Sequence, residues 1–141
     1  MIKLYSARIL ALAADMPHTT RLPAPMGSAT KRAPLCGSTV TVDIALTDGR
    51  ISAYGQDVKA CALGQAAAAV IGAVIIGLDA ATVQKGRDEL AAMLKSGGPV
   101  PAAPFDGLEV LQPAADYKNR HGSILLAFDA TLDAIKSMNN A

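Results

Sequence analysis

Residues 39–56 read TVTVDIALTDGRISAYGQ, and how this stretch folds decides the reading of everything around it. Val40, Val42, Ile44 and Leu46 alternate with Thr39, Thr41, Asp43 and Ala45, and Ile51, Ala53 and Gly55 alternate with Ser52, Tyr54 and Gln56. A period of two marks a half-buried strand. Between the two runs lies Asp48-Gly49, suited to a type I′ turn because both central positions of that turn need positive φ. The expectation is an antiparallel hairpin over about 39–57. If Asp48 and Gly49 are the whole turn, Thr47 faces Arg50, Leu46 faces Ile51 and Ile44 faces Ala53. Extrapolated further, the same register sets Cys36 opposite Cys61, unless a bulge, for which Gly55 is a candidate, breaks it. The turn in any case returns the chain so that both cysteines lie at one end of the sheet. Cys36 and Ser38, two residues apart, point to one side if that segment is extended.

Working outward, residues 2–14 place Ile2, Tyr5, Ile9, Leu12 and Ala13 near helical spacing, which predicts an amphipathic N-terminal helix ended by Pro17. The stretch 17–34 carries four prolines and reads as an extended surface loop. Past the hairpin, residues 61–78 run CALGQAAAAVIGAVIIGL, without a charge. Eighteen such residues approach the length of a membrane span. Six are Ala and three are Gly, Gln65 interrupts them, and the flanks carry no basic or aromatic belt. A buried helix of a globular domain is the better reading. A second helix follows over about 81–95, stopped by Gly97-Gly98-Pro99. Residues 97–104 form a loop, 105–110 a short apolar turn or helix, and about 123–137 a last helix. The fold class is therefore α+β: a small antiparallel sheet with an N-terminal helix and several further helices packed on one face.

Composition bounds the function. A chain of 141 residues with net charge +1 fits a single domain over 1–141. Hydrophobic types make up 51%, but 28 residues are Ala and aromatics are only 4%, so much of the apolar fraction is small side chains. A chain this apolar is not disordered as a whole. Thirteen basic against 12 acidic residues leave no field for nucleic acid. Arg8 interrupts the first apolar stretch and no cleavage pattern follows, so a signal peptide is not expected and the expected location is cytoplasmic.

The chemistry centres on Cys36 and Cys61, too few for a disulfide scaffold. Cys61 stands near the start of the Ala-rich helix, where unsatisfied amides and the helix dipole favour thiolate, suiting a ligand or a sulfur nucleophile. Each cysteine can equally be a small buried hydrophobe. His18 lies in the Pro-rich loop and reads as a surface residue; His121, before the last helix, reads equally as a cap, a surface residue or a ligand.

Pro34-Leu35-Cys36-Gly37-Ser38, the hairpin with Asp48-Gly49-Arg50-Ile51, Ala60-Cys61-Ala62-Leu63-Gly64-Gln65-Ala66 and the stretch RHGSILLAFDA at 120–130 together resemble the IscU/NifU-like iron-sulfur cluster assembly scaffolds over nearly the whole chain. The long segment before the last helix resembles the SufU-type branch. The resemblance implies a site of three cysteines and an aspartate that holds zinc or a nascent iron-sulfur cluster, accepts sulfur from a cysteine desulfurase and serves cluster-recipient proteins. Carried over, the first cysteine is Cys36 and the second Cys61; the aspartate falls on Ser38 and the third cysteine on Ser123. Zinc and iron-sulfur sites select thiolate over hydroxyl. The candidate ligands are thus Cys36, Cys61, His121, Ser123 and Ser38, with Cys36, Cys61, His121 and one exchangeable position as a conceivable zinc site. The expected geometry brings both sulfurs and the Ser123 hydroxyl together at one end of the hairpin, with His121 nearby.

Three functional readings follow. The first is a scaffold or sulfur-relay protein binding iron, zinc or a nascent cluster through Cys36 and Cys61. The second is a degenerate homologue acting as a metal-free interaction module. The third, a thiol enzyme working through Cys61, is disfavoured because no matched base and orienting acid can be named, so the chain is not expected to be an enzyme.

Overall fold

The structure is a computed structural model and describes residues 6–35 and 37–139. The hairpin turns as its sequence demands. Asp48 and Gly49 both have positive φ, 54° and 78°, and Thr47 pairs with Arg50 and Leu46 with Ile51. Beyond that the register changes. Ala45 pairs with Ala53 and Ile44 with Tyr54, so Ser52 is an extra residue on the return strand. The expected facing of Ile44 and Ala53 is corrected by this β-bulge, and the extrapolated opposition of positions 36 and 61 loses its basis. Ser52 is held in place by its own hydroxyl, which donates to the Ala45 carbonyl at 3.2 Å and accepts from Thr47 Oγ1 at 3.0 Å. The physical reason for the bulge is burial. Ile51 and Tyr54 are both buried although three residues apart, and a regular strand would send them to opposite faces.

The hairpin strands, β2 (Thr39–Thr47) and β3 (Arg50–Lys59), are joined by a strand that the sequence reading had as loop. Residues Gly27–Arg32 form β1, antiparallel to β2 with Gly27 opposite Ile44 and Arg32 opposite Thr39. The sheet order is β1-β2-β3. β1 shows little apolar alternation, its sequence being GSATKR. Pairing with β2 and the last helix laid across it decide its conformation, a tertiary override of weak local preference.

Among the described residues four α-helices cover one face: α1 (Ala7–Ala14), α2 (Ala62–Val74), α3 (Ala80–Ser96) and α4 (His121–Asn139). Of the expected first helix, residues 1–5, with Ile2 and Tyr5, lie outside the described residues. Its start is capped by Ser6, whose hydroxyl accepts from the Ile9 amide at 3.2 Å. The Ala-rich run is the central helix. Leu63, Gly64, Ala66 to Ala69, Ile71 and Gly72 of α2 are all buried, because α1 packs on one side, α4 on the other and β3 beneath. A helix apolar all round belongs in a core, and small side chains let three neighbours approach it. No helix among the described residues is long and apolar enough to cross a membrane. α3 begins at Asp79, whose carboxylate accepts from the Thr82 amide at 2.9 Å, and stops at Gly97 in the left-handed region. The expected short turn at 105–110 is longer: a 3₁₀ segment, Asp106–Asp116, then a second, Lys118–Arg120, that runs into α4. Phe105, at the head of the first, meets Phe128 of α4 edge to face with centroids 4.9 Å apart.

The other face of the sheet carries a strap, residues 18–22. Val40, Val42 and Ile44 point into the helical core, so Asp43 points the opposite way, and it is fully buried there. Arg21 donates to its two carboxylate oxygens at 2.6 and 3.0 Å, the Leu22 amide at 3.1 Å and the Ser28 hydroxyl at 2.7 Å. Gly55, on the neighbouring strand, is what lets the strap lie flat: a Cβ there would stand 2.5 Å from the Thr20 carbonyl oxygen.

Candidate functional site

The β1–β2 connection, the end of β3 and the first turns of α2 and α4 meet at one end of the sheet. β1 and β2 continue to pair past their ends, the Ala33 amide donating to the Ser38 carbonyl at 2.9 Å. The Gly37 amide then donates back to the Ala33 carbonyl at 2.8 Å. Gly37 has φ 71°, a conformation that needs no Cβ. Leu35 stands out from this turn, 82% exposed. Cys36 lies outside the described residues, so the structural account begins from Ser38, which is 5% exposed.

Cys61 caps α2 with extended backbone, φ −67° and ψ 170°, and is half-buried. Its sulfur lies 3.6 Å from the Ser123 hydroxyl, and Ser123, 1% exposed, donates to the Ser38 hydroxyl at 3.1 Å. Three of the candidate residues, Cys61, Ser123 and Ser38, thus form one hydrogen-bonded chain from the half-buried thiol to the covered turn. Burial pushes the Cys61 thiol up, but the Gly64 and Leu63 amides, the Ser123 hydroxyl and Arg120 outweigh it and hold the thiol below its ordinary value. The thiol makes no formed cap hydrogen bond, so the amides act on it as the positive end of α2.

Two residues without a role in the sequence reading build this arrangement. Arg120, the last residue before α4, supplies a positive charge to the thiolate. Gly64 lets α2 and α4 close on each other: a Cβ there would stand 2.6 Å from Ser123 Oγ and 2.8 Å from the Ala60 Cβ. Their signals were a glycine three residues into a helix that begins at a cysteine, and an arginine just before the helix carrying Ser123.

His121 stands two residues from Ser123 but is committed elsewhere. It is buried, and Nε2 lies 3.2 and 3.0 Å from the Ala114 and Ala115 carbonyl oxygens. Carbonyls only accept, so Nε2 carries the proton and ties α4 to the 3₁₀ segment, leaving Nδ1 as the basic nitrogen. The ring edge, with Leu35, Lys95, Lys118 and Gly122, lines an open cleft of about 460 Å³. Among the described residues no group of three or more His, Cys, Asp or Glu side chains is placed to hold a metal ion. The described donor set is one thiol and two serine hydroxyls bonded to each other, a poor match to a four-coordinate site of nitrogen and sulfur ligands.

No protein-family model matches the chain, and no curated protein matches it. Solved structures do. A NifU-like nitrogen-fixation protein (N-terminal part) from Brucella abortus is 40% identical with a TM-score of 0.94, covering 98% of this chain and 96% of its own. A putative iron-sulfur cluster assembly scaffold protein of the SUF system from the thermophile Fervidobacterium islandicum AW-1 superposes with a TM-score of 0.82. It is 18% identical over 94% of this chain and 96% of its own, and so shares the fold. A protein described only as hypothetical shares that fold too, with a TM-score of 0.84 and 18% identity over 96% of this chain and 99% of its own.

Proposed function

The chain belongs to the NifU-like family, and from that premise we propose that it works in iron-sulfur cluster assembly, as a scaffold or sulfur-relay domain spanning 1–141. A scaffold of this family is not an enzyme: it receives and hands on cargo rather than turning over a substrate. The observation that carries the reading is the state of Cys61. Its half-buried sulfur sits at the positive end of α2 beside Arg120 and Ser123, all of which favour thiolate. Thiolate is the form that attacks sulfane sulfur and the form that ligates iron.

The cargo is iron, sulfur or a nascent cluster, taken by Cys61 and Cys36; the partners are a cysteine desulfurase and cluster-recipient proteins, met in the cytoplasm. Leu35, exposed next to Cys36 in sequence, and the cleft with Lys95 and Lys118 give a partner an apolar and basic landing point. A resident zinc is less well supported. With Ser38 and Ser123 hydrogen-bonded to each other and His121 Nε2 tied to carbonyls, zinc would rest on Cys61, Cys36 and His121 Nδ1 plus an exchangeable position.

The Ser38–Ser123 bond also favours the second reading, a metal-free module that keeps the fold and docks on assembly partners. The two separate in one experiment. The protein, isolated without oxygen, is incubated with a cysteine desulfurase and cysteine, and sulfur on each cysteine is mapped by mass spectrometry with and without Cys36→Ala and Cys61→Ala. The scaffold reading expects sulfur on a cysteine of this chain and its loss in the matching variant. Absence of sulfur from both cysteines, in the unsubstituted chain as in the variants, overturns it in favour of the metal-free module.

A further inference from the structure

The family resemblance and the donor set disagree, and the disagreement has a definite location. Where the resemblance asks for an aspartate and a third cysteine, this chain has two buried hydroxyls, Ser38 and Ser123, 3.1 Å apart and bonded to one another. We infer that these two hydroxyls, standing where a carboxylate and a thiol would ligate, leave the site unfitted to a resident soft divalent ion, which it retains only weakly. The inference rests on the scaffold reading for its purpose, but its physical content does not depend on it.

Four observations lead there. A serine hydroxyl stays protonated at neutral pH and is a hard, neutral donor, whereas zinc and iron sites of this kind select thiolate. Ser123 gives its proton to Ser38 and keeps it there, so it would meet a metal as a neutral hydroxyl, and at 1% exposure no water enters beside it to complete a coordination shell. The space beside Ser123 is closed by α2, since even a methyl group on Gly64 would stand 2.6 Å from Ser123 Oγ; no further ligand enters from that side. His121 offers no substitute through Nε2, which is spent on the Ala114 and Ala115 carbonyls. What remains near Ser123 among the described residues is the single thiol of Cys61, 3.6 Å from its hydroxyl. A thiol at position 123 would turn that hydroxyl–thiol contact into a pair of soft ligands, so the oxygen-for-sulfur difference at one atom governs the strength of the site.

The test uses zinc ion alone as the probe, titrated into the full chain against a competing chelator, with bound zinc counted per chain by atomic emission. Ser123→Cys is expected to retain zinc at least about tenfold more tightly than the wild type. Ser123→Ala is expected to match the wild type within about twofold, because the hydroxyl is not a ligand. Ser38→Cys supplies a thiol on the turn side and is also expected to tighten retention; it decides the matter if circular dichroism shows that Ser123→Cys does not fold. Wild-type protein that keeps one zinc per chain as tightly as the folded thiol variants overturns the inference. So does loss of zinc on Ser123→Ala. Failure of sulfur uptake from a desulfurase, with the zinc series behaving as described, would instead count against the scaffold reading alone.

Discussion

Two buried polar clusters sit on the same sheet and are built on opposite plans. Around Asp43 on the strap face, a carboxylate with no exposed surface accepts from both arms of Arg21, from the Leu22 amide and from the Ser28 hydroxyl. Around Cys61 at the sheet end, one half-buried sulfur lies 3.6 Å from the Ser123 hydroxyl, whose proton goes to Ser38, and is approached by the Gly64 and Leu63 amides and Arg120. The first cluster is saturated, and its charge is fixed by geometry. The second surrounds a half-buried sulfur with positive partners that favour a charge and leaves part of it open to solvent. Saturation out of reach of solvent marks a joint that holds the fold; a reactive atom favoured as an anion and partly open to solvent marks a place that exchanges partners.

Substitutions break this contrast in order of size. Asp43→Ala leaves the Leu22 amide and Ser28 hydroxyl without their acceptor and releases the strap. It should cost about 2–4 kcal/mol of unfolding free energy by urea denaturation followed by circular dichroism. Thiol reactivity of Cys61 should not change, and a loss of reactivity would mean that the two clusters are coupled through β2.

The same carboxylate fixes a pH dependence. The hydrogen bond from Arg21 leads in holding Asp43 below its ordinary value, burial opposes it, and Ser28 and Leu22 reinforce it. A depressed folded-state value stabilises the fold above the unfolded value of about 3.9, and that stabilisation disappears as pH falls through the folded value. Asp43→Asn should therefore lower stability at neutral pH and flatten the decline expected below about pH 4. An unchanged acid limb would remove Asp43 as its source.

At the other cluster the expected effects are smaller in stability and larger in reactivity. Gly64→Ala forces α2 and α4 apart at Ser123 and should cost about 1–3 kcal/mol, with a change in the alkylation rate of Cys61 that a substitution elsewhere in α2 would not produce. Ser123→Ala removes the hydroxyl that can turn its proton from Ser38 to the thiolate and should slow alkylation of Cys61 at neutral pH by roughly two- to fivefold, with the midpoint of its pH profile raised. Peptide mapping distinguishes Cys61 from Cys36. Stability should move by only about 1 kcal/mol, through the lost bond to Ser38.

The sequence carried the hairpin because Asp48-Gly49 admits few other conformations, and the helices because their apolar spacing and stops are plain. β1 was hidden, since the side chains it offers inward are Gly27, Ala29 and the stem of Lys31, which give no apolar alternation. Its partner strand and α4 make it a strand. At the site, the pairing of Cys61 with Ser123 could be placed from the motifs, while the engagement of His121 could not. That depends on where the 3₁₀ segment delivers the Ala114 and Ala115 carbonyls, and local spacing does not encode it. The Asp43 cluster was equally invisible: an aspartate in the middle of an alternating strand reads as a solvent-facing residue until the strap is laid over it.

The extra residue at Ser52 acts as a parity switch for the return strand. Counting from the turn, it moves Tyr54, Gln56 and Val58 from odd to even, which turns the tyrosine inward, where its hydroxyl donates to Thr131 of α4. Every later position, down to the cysteine that opens α2, inherits that count. Lengthening or trimming the hairpin tip by an even number of residues, split equally between the strands, keeps the sheet end in phase. Removing Ser52 alone puts the return strand out of step and requires the segment before Cys61 to absorb one residue of slip. The geometry of the thiol is thus set partly by a serine at the opposite end of the sheet.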